Sequence, residues 1–209
     1  TVNTDTHGQA WVPRGGVVYQ FNDELALYAS YSESFKPNSS VATLVGGTVI
    51  DSGLQPEQAR AWELGAKFDL GGALTGKVAL FDIRKRNVLV ASYDSVTTNT
   101  AYSTAGQVRS RGLEVDVSGP LSERWSLIGN YAFTDAWVAK DPDYQGNRLQ
   151  NAARHTGGVN AVYDWGAVLG NDRLRLGLGA HYVGERAGNA QNDFNLPAYT
   201  VADAFASYQ

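Results

Sequence analysis

A two-residue alternation of side chains persists along nearly the whole chain and constrains its fold more than any other feature. Leu25, Leu27, Ala29 and Tyr31 fall on one face of their segment, with Ala26, Tyr28, Ser30 and Ser32 on the other. Trp62, Leu64, Ala66, Phe68 and Leu70 alternate with Glu63, Gly65, Lys67 and Asp69, and Leu113, Val115 and Val117 with Glu114, Asp116 and Ser118. Trp125, Leu127, Gly129, Tyr131 and Phe133 oppose a mostly polar set, and Leu174, Leu176, Leu178, Ala180 and Tyr182 alternate with Arg173, Arg175, Gly177, Gly179 and His181. Successive side chains of a strand point to opposite faces, so each segment reads as a strand with one apolar and one polar surface. No window reads as a helix. Nine strands are predicted, beginning near Trp11, Leu25, Ala59, Leu74, Ala105, Trp125, His155, Leu174 and Tyr199.

The connections sharpen the fold class. Short turns at Asn22 to Glu24, Gly71 to Ala73, Gly119 to Arg124 and Gly166 to Asp172 alternate with long polar loops at Lys36 to Gln58, Ser92 to Thr104, Lys140 to Arg154 and Glu185 to Ala198. A soluble β-sandwich mixes both kinds at both ends. A transmembrane antiparallel β-barrel has short turns on one side and long loops on the other. The composition agrees: 43% hydrophobic residues and 23 glycines accompany a mean hydropathy of only -0.28. No apolar run approaches the roughly 18 residues that a membrane helix needs. The absence of cysteine excludes a disulfide framework and a thiolate nucleophile or metal ligand. A net charge of -4 argues against nucleic acid as a partner. Thr1, in place of an initiator Met, reads as the start of a segment of a longer polypeptide.

Tryptophans mark both strand ends: Trp125 and Trp165 beside short turns, and Trp11, Trp62 and Trp137 near long loops. Amphipathic rings at both ends are the expected girdles of a membrane barrel. Of the 17 basic residues, 12 fall on the long-loop half: Arg14, Lys36, Arg60, Arg84, Lys85, Arg86, Arg109, Arg111, Lys140, Arg148, Arg154 and Arg186. Three readings fit them: contacts to outer-leaflet lipid phosphates, a funnel for an anionic solute, or a solvated rim.

Seven strings then go beyond pattern: YASYSESFKP from Tyr28, GLQPEQARAWELGAKFDL from Gly53, LFDIRKRNV from Leu80, AGQVRSRGLEVDVSG from Ala105, NYAFTDAWV from Asn130, GNRLQNAARHT from Gly146 and LPAYTVADAFASYQ from Leu196. In this order they resemble the TonB-dependent ferric-siderophore receptors of Gram-negative outer membranes. Ala153 stands where the family often has Pro, and Trp62 where Tyr is more usual. The resemblance implies a 22-stranded barrel plugged by an N-terminal domain. Residues 1–209 are then expected to be part of one transmembrane barrel domain, with the plug and the terminal strands absent from this chain. It also implies active import of a ferric siderophore, energised by TonB through the missing N-terminal region. The expected partners are outer-membrane lipid and lipopolysaccharide, the receptor is expected to be a monomer, and iron is expected to be carried only by its chelate, so that no cofactor or protein metal ligand is expected.

Chemistry at the residue level gives no catalytic site. His7, His155 and His181 lack H-E-x-x-H or other metal spacing, and no serine sits in a G-x-S-x-G elbow. His181 falls on the lumen face by alternation, which keeps an outer-membrane enzyme barrel open beside a passive porin and a soluble all-β binding module. A cavity for a compact, often anionic chelate needs aromatic surfaces and a few cationic donors. The long-loop side offers Tyr93, Tyr102, Trp137, Tyr144 and Phe194, with Arg148, Arg154 and Arg186. These eight are the candidate ligand-binding residues.

Overall fold

The structure is a computed structural model that describes residues 9–37, 42–45, 48–51, 55–94, 99–170 and 172–209. Its strands are β1 (Arg14–Asn22), β2 (Leu25–Lys36), β3 (Ala42–Val45), β4 (Thr48–Asp51), β5 (Glu57–Asp69), β6 (Thr75–Asp94), β7 (Asn99–Pro120), β8 (Trp125–Lys140), β9 (His155–Ala167), β10 (Arg173–Val183), β11 (Arg186–Ala187), β12 (Asn195–Leu196) and β13 (Tyr199–Tyr208). Nine of them form one sheet in the order β1-β2-β5-β6-β7-β8-β9-β10-β13. Every pairing in it is antiparallel. The predicted all-β meander is therefore the observed one, and four predicted strand starts, Leu25, Trp125, His155 and Tyr199, coincide with the observed residues.

Turn chemistry explains the trimmed end. Asp23 and Glu24 alone link β1 to β2, and the Glu24 amide donates to Asn22 Oδ1 at 2.9 Å. Between β5 and β6, Gly71 (φ 62°) and Gly72 (φ 78°) occupy the left-handed region that glycine enters without a Cβ penalty. The Gly72 amide donates to Asp69 Oδ1 at 3.0 Å.

The other end differs from expectation in two ways. Ser92 to Asp94 and Asn99 to Thr104 are strand and not loop, because β6 and β7 stay paired as far as Asp94 opposite Asn99. This Thr- and Ser-rich stretch lacks an apolar face, so its sequence imitates a loop while its backbone continues the ladder. The long connections after β2 and β10 also contain two-stranded units, β3 with β4 and β11 with β12.

The register fixes the two faces. Tyr19, Leu27, Ala66, Val78, Val115 and Tyr131 are successive partners across β1, β2, β5, β6, β7 and β8, and Val17, Ala29, Leu64, Leu80, Leu113 and Phe133 form the next row. This apolar face is not covered by protein: Leu178 is 69% exposed and Leu64 58%. Among the described residues, the buried hydrophobics are only Ala79, Val108, Ala136 and Ala187. A sheet that leaves its large apolar side chains outside and carries polar ones on the opposite face has a membrane wall's distribution, not that of a water-soluble core. Ring pairs stand at both ends of the apolar rows: Tyr31 with Trp62, centroids 4.6 Å apart, and Trp125 with Tyr163 at 4.9 Å. Tyr163 in turn meets Trp165 edge-on at 5.6 Å.

Glycine has a specific packing role in the sheet. A Cβ on Gly177 would lie 2.0 Å from the Phe205 ring of β13, so the glycine provides the seat for that ring. An aromatic side chain laid over a cross-strand glycine covers its bare backbone.

Candidate functional site

The polar face carries charges alongside the apolar rows, which carry none. Lys77 Nζ lies 3.6 Å from Asp116, Lys85 Nζ donates to Glu57 at 3.0 Å, and Tyr28 donates to Glu63 with the Lys67 ammonium 5.6 Å from the Tyr28 ring centre. Toward the long-connection end, this face opens into a cavity of about 570 Å³. Its wall is made by Ile83, Lys85, Val108, Ser110 and Val138 of β6 to β8, and its roof by Asp141, Tyr144, Arg148, Leu149, Gln150 and Ala190. Apolar walls with a few convergent polar groups form the usual lining of a small-molecule site.

The roof is assembled from two connections locked together. The Arg148 amide donates to Asn192 Oδ1 at 2.8 Å, while Asn192 Nδ2 donates to the Arg148 carbonyl at 3.0 Å. One asparagine side chain thus pairs with both backbone groups of a residue in the other connection. Asn147 Nδ2 donates to the Ala190 carbonyl at 2.8 Å, the Asn151 amide to the Ala187 carbonyl at 2.9 Å, and Arg186 Nε to Asn151 Oδ1 at 2.7 Å. Asn151 and Asn192 have φ of 58° and 61°, a conformation that asparagine tolerates better than most residues. The segment 141–154 and the segment 184–198 therefore form one clasp.

The structure distributes the predicted site residues as follows. Tyr144 and Arg148 come together in the cavity roof. Tyr144 Oη accepts from Gln191 at 3.3 Å, and Arg148 Nη2 donates to the Glu185 carbonyl at 3.0 Å. Arg186 and Phe194 belong to the same clasp; Arg186 stacks 5.4 Å from the Tyr199 ring centre, and the Phe194 carbonyl accepts from the Gly188 amide at 2.9 Å. The side chains of Trp137 and Arg154 stand apart from this group, although the Trp137 backbone pairs with that of Arg148. Trp137 is flanked by Arg109 and Arg111 at 5.6 and 5.1 Å, and Arg154 reaches Asp135 at 3.4 Å, on the face of the apolar rows. The side chains of Tyr93 and Tyr102 lie outside the described residues, although their backbones place them on the extended β6–β7 ribbon. His7 also lies outside. Sequence reasoning missed Lys85, Ile83, Val108 and Val138 as lining residues. Alternation alone places all four on the polar face, but nothing local tells which part of that face the clasp will cover.

Comparison with known proteins decides the family. The TonB-dependent receptor-like β-barrel family matches residues 1–209. The chain belongs to that family. The metal-pseudopaline receptor CntO of Pseudomonas aeruginosa is 42% identical over 206 residues, covering 96% of this chain and 27% of the receptor. The ferrichrome outer membrane transporter and phage receptor of Escherichia coli is 32% identical, covering 93% of this chain and 25% of the transporter. Among solved structures, the ferric preacinetobactin receptor BauA of Acinetobacter baumannii superposes with a TM-score of 0.73 at 22% identity, over 94% of this chain and 29% of that one. The chain thus spans about a quarter of the length of the curated relatives it matches, 27% and 25%. As a TonB-dependent receptor barrel, the sheet is part of an outer-membrane wall of a Gram-negative bacterium. Its apolar rows face lipid and its polar face lines the lumen. The family is one of transporters rather than enzymes. Among the described residues, no group of three or more His, Cys, Asp or Glu is arranged to hold a metal ion.

Proposed function

We propose that this chain is a sector of an outer-membrane receptor that captures a ferric siderophore from outside and imports it actively, with energy delivered by TonB through an N-terminal plug. The observation that carries the reading is the lumen-side cavity of about 570 Å³ under the clasp, where Lys85 and Tyr144 stand among Ile83, Val108, Val138 and Leu149. Such a lining suits a compact chelate with apolar faces and negative charge. The names of the relatives support chelated metal as the cargo class, and the one named for a metal-pseudopaline complex extends that class beyond ferrichrome-like iron carriers. Iron enters and leaves with its chelate and is no resident cofactor.

In the same reading, further strands complete the wall beside β1 and β13, the two outermost strands of this sheet. An unpaired strand edge in hydrocarbon leaves backbone groups without partners, which supports a closed barrel. The working unit is a monomer, with outer-leaflet lipid and lipopolysaccharide around it.

A passive porin or an outer-membrane enzyme barrel is the competing reading. The hollow around His181 on the lumen face is lined by Lys77, Glu114, Asp116, Asn130, Tyr131, Ala132, Thr156 and Gly157, with no serine among them, which favours the receptor over a hydrolase. The test is uptake under iron limitation after deletion of the parent gene, with and without a protonophore. A receptor loses uptake of at least one metal chelate in both cases. Undiminished uptake of every chelate tried, or uptake indifferent to the protonophore, contradicts the reading.

A further inference from the structure

The two faces of β6 trade places near its outer end. Side chains alternate along a strand, so Ile83 and Lys85 share one face and Arg84 and Arg86 the other. The structure follows this as far as Arg86: Ile83 and Lys85 line the lumen cavity, whereas Arg84 and Arg86 line a separate hollow with Tyr31 and Trp62. Alternation would then put Val88 with the two arginines. Val88 lines the lumen cavity instead.

The cause lies between Arg86 and Val88. Asn87 has φ 56°, in the left-handed region, inside a strand of 20 residues. Few residues adopt that conformation, and asparagine tolerates it better than most. Asn87 Nδ2 donates to the Pro56 carbonyl at 3.0 Å, immediately before β5 begins at Glu57. On the opposite strand, a Cβ on Gly106 would lie 2.7 Å from the Lys140 carbonyl oxygen, so β8 ends against bare backbone. At this level β6 and β7 lose their outer neighbours: the β5 ladder stops with Gln58 opposite Arg86, and the β8 ladder with Lys140 opposite Gln107. Pairing between β6 and β7 resumes with Val88 opposite Ala105. Neither strand gains a residue, so the register is kept while the facing of β6 changes.

The geometry points to Asn87 as a positioning residue of the lumen cavity, whose left-handed turn swings Val88 off the outward face and into the wall that receives the metal chelate. Val88 extends the apolar wall of Ile83, Val108 and Val138 past Lys85, toward the outer end of β6. A sparsely populated backbone conformation persists only where its surroundings hold it, and such positions gather at ligand sites. Here the Pro56 bond and the bare backbone of Gly106 are those surroundings. This role deepens, and rests on, the reading of the cavity as the cargo site, whereas the turn itself is read without cargo.

The test compares variants of the full-length receptor in two assays. Equilibrium binding of ferrichrome, ferrioxamine B and metal-pseudopaline reads the cavity. Cross-linking of Val88→Cys to Leu149→Cys in the roof by a short bis-maleimide, located by mass spectrometry, reads the facing of residue 88 with no chelate present. Residues 1–209 contain no cysteine that competes. Asn87→Val, β-branched and disfavoured at positive φ, is expected to weaken chelate binding and lower the cross-link yield by roughly tenfold each, with the heat-modifiable mobility of the folded barrel unchanged. Asn87→Gly enters the left-handed region without a Cβ penalty and is expected to stay within about twofold of the wild type in both assays. A general loss of structure would not be rescued in that way. If Asn87→Val does not fold, Val88→Trp is compared with Arg86→Trp: the first is expected to weaken chelate binding by roughly tenfold and the second to leave it unchanged. Unchanged cross-linking in folded Asn87→Val overturns the role of Asn87, as does an equal loss in Asn87→Gly, or equal effects of the two tryptophans. Loss of the cross-link with wild-type chelate binding overturns it as well; Ser110→Trp then shows whether the cavity is still the cargo site, which it is if that variant loses chelate binding and is not if it binds as the wild type does.

Discussion

On strand β6, neighbouring residues face different solvents. Val78 and Leu80 face lipid, whereas Lys77 and Lys85 face the lumen and hold Asp116 and Glu57. Through its apolar rows the lipid side is uniform, bounded by aromatic pairs, and its sequence there need only be apolar of about the right size. The lumen side is particular: ion pairs, a cavity of about 570 Å³ and a clasp whose hydrogen bonds join residues more than forty positions apart, such as Arg148 and Asn192. The contrast teaches that one face places the protein in its membrane and the other distinguishes this barrel sector from a generic wall.

The largest expected effect breaks the contrast if it is absent. Leu178→Arg, on the lipid side, should destabilise the full-length barrel by about 2–4 kcal/mol in urea refolding into liposomes. His181→Arg, three residues along on the lumen side near Glu114 and Asp116, should cost less than about 1 kcal/mol. Equal costs would mean that the faces are misassigned. Next comes Gly177→Ala, whose Cβ would meet the Phe205 ring at 2.0 Å. It should cost about 1–3 kcal/mol by overpacking, and much of that loss should disappear in the double variant with Phe205→Ala.

A smaller and local effect is expected at the clasp. Asn192→Ala removes both hydrogen bonds to the Arg148 backbone, each worth about 1 kcal/mol. Hydrogen exchange at residues 147–149 should quicken roughly tenfold or more while global stability stays near the wild-type value. Slower or unchanged exchange would show that the two connections are held by other contacts. The smallest effect is that of Arg154→Gln, which removes an exposed ion pair to Asp135 and should change stability by less than about 1 kcal/mol in the same refolding assay.

The sheet was legible because each strand repeats its two-face alternation over nine or more residues, and a slip of one residue would turn every apolar side chain inward. Legibility failed where that signal vanishes. The outer part of the β6–β7 ribbon has no apolar face and reads as a loop, and the β11–β12 pair is only two residues long on each side. Of the site, Tyr144 and Arg148 could be picked out by chemistry and position. The opposite facing of Trp137 was available from alternation with Asp135 and Phe133, but sorting residues by strand end rather than by face concealed it. The Asn192 clamp was not legible, because an asparagine in a polar loop carries no local mark of the backbone it will pair with.

In the proposed function, the lumen cavity under the clasp receives the metal chelate. Ser110→Trp places a large ring in the cavity wall while leaving the lipid side untouched. Equilibrium binding of ferrichrome, ferrioxamine B and metal-pseudopaline to the purified full-length receptor tests it most directly. At least one chelate is expected to bind the wild type, and the folded variant to bind it at least about tenfold more weakly. Wild-type affinity for every bound chelate in the folded variant would contradict it.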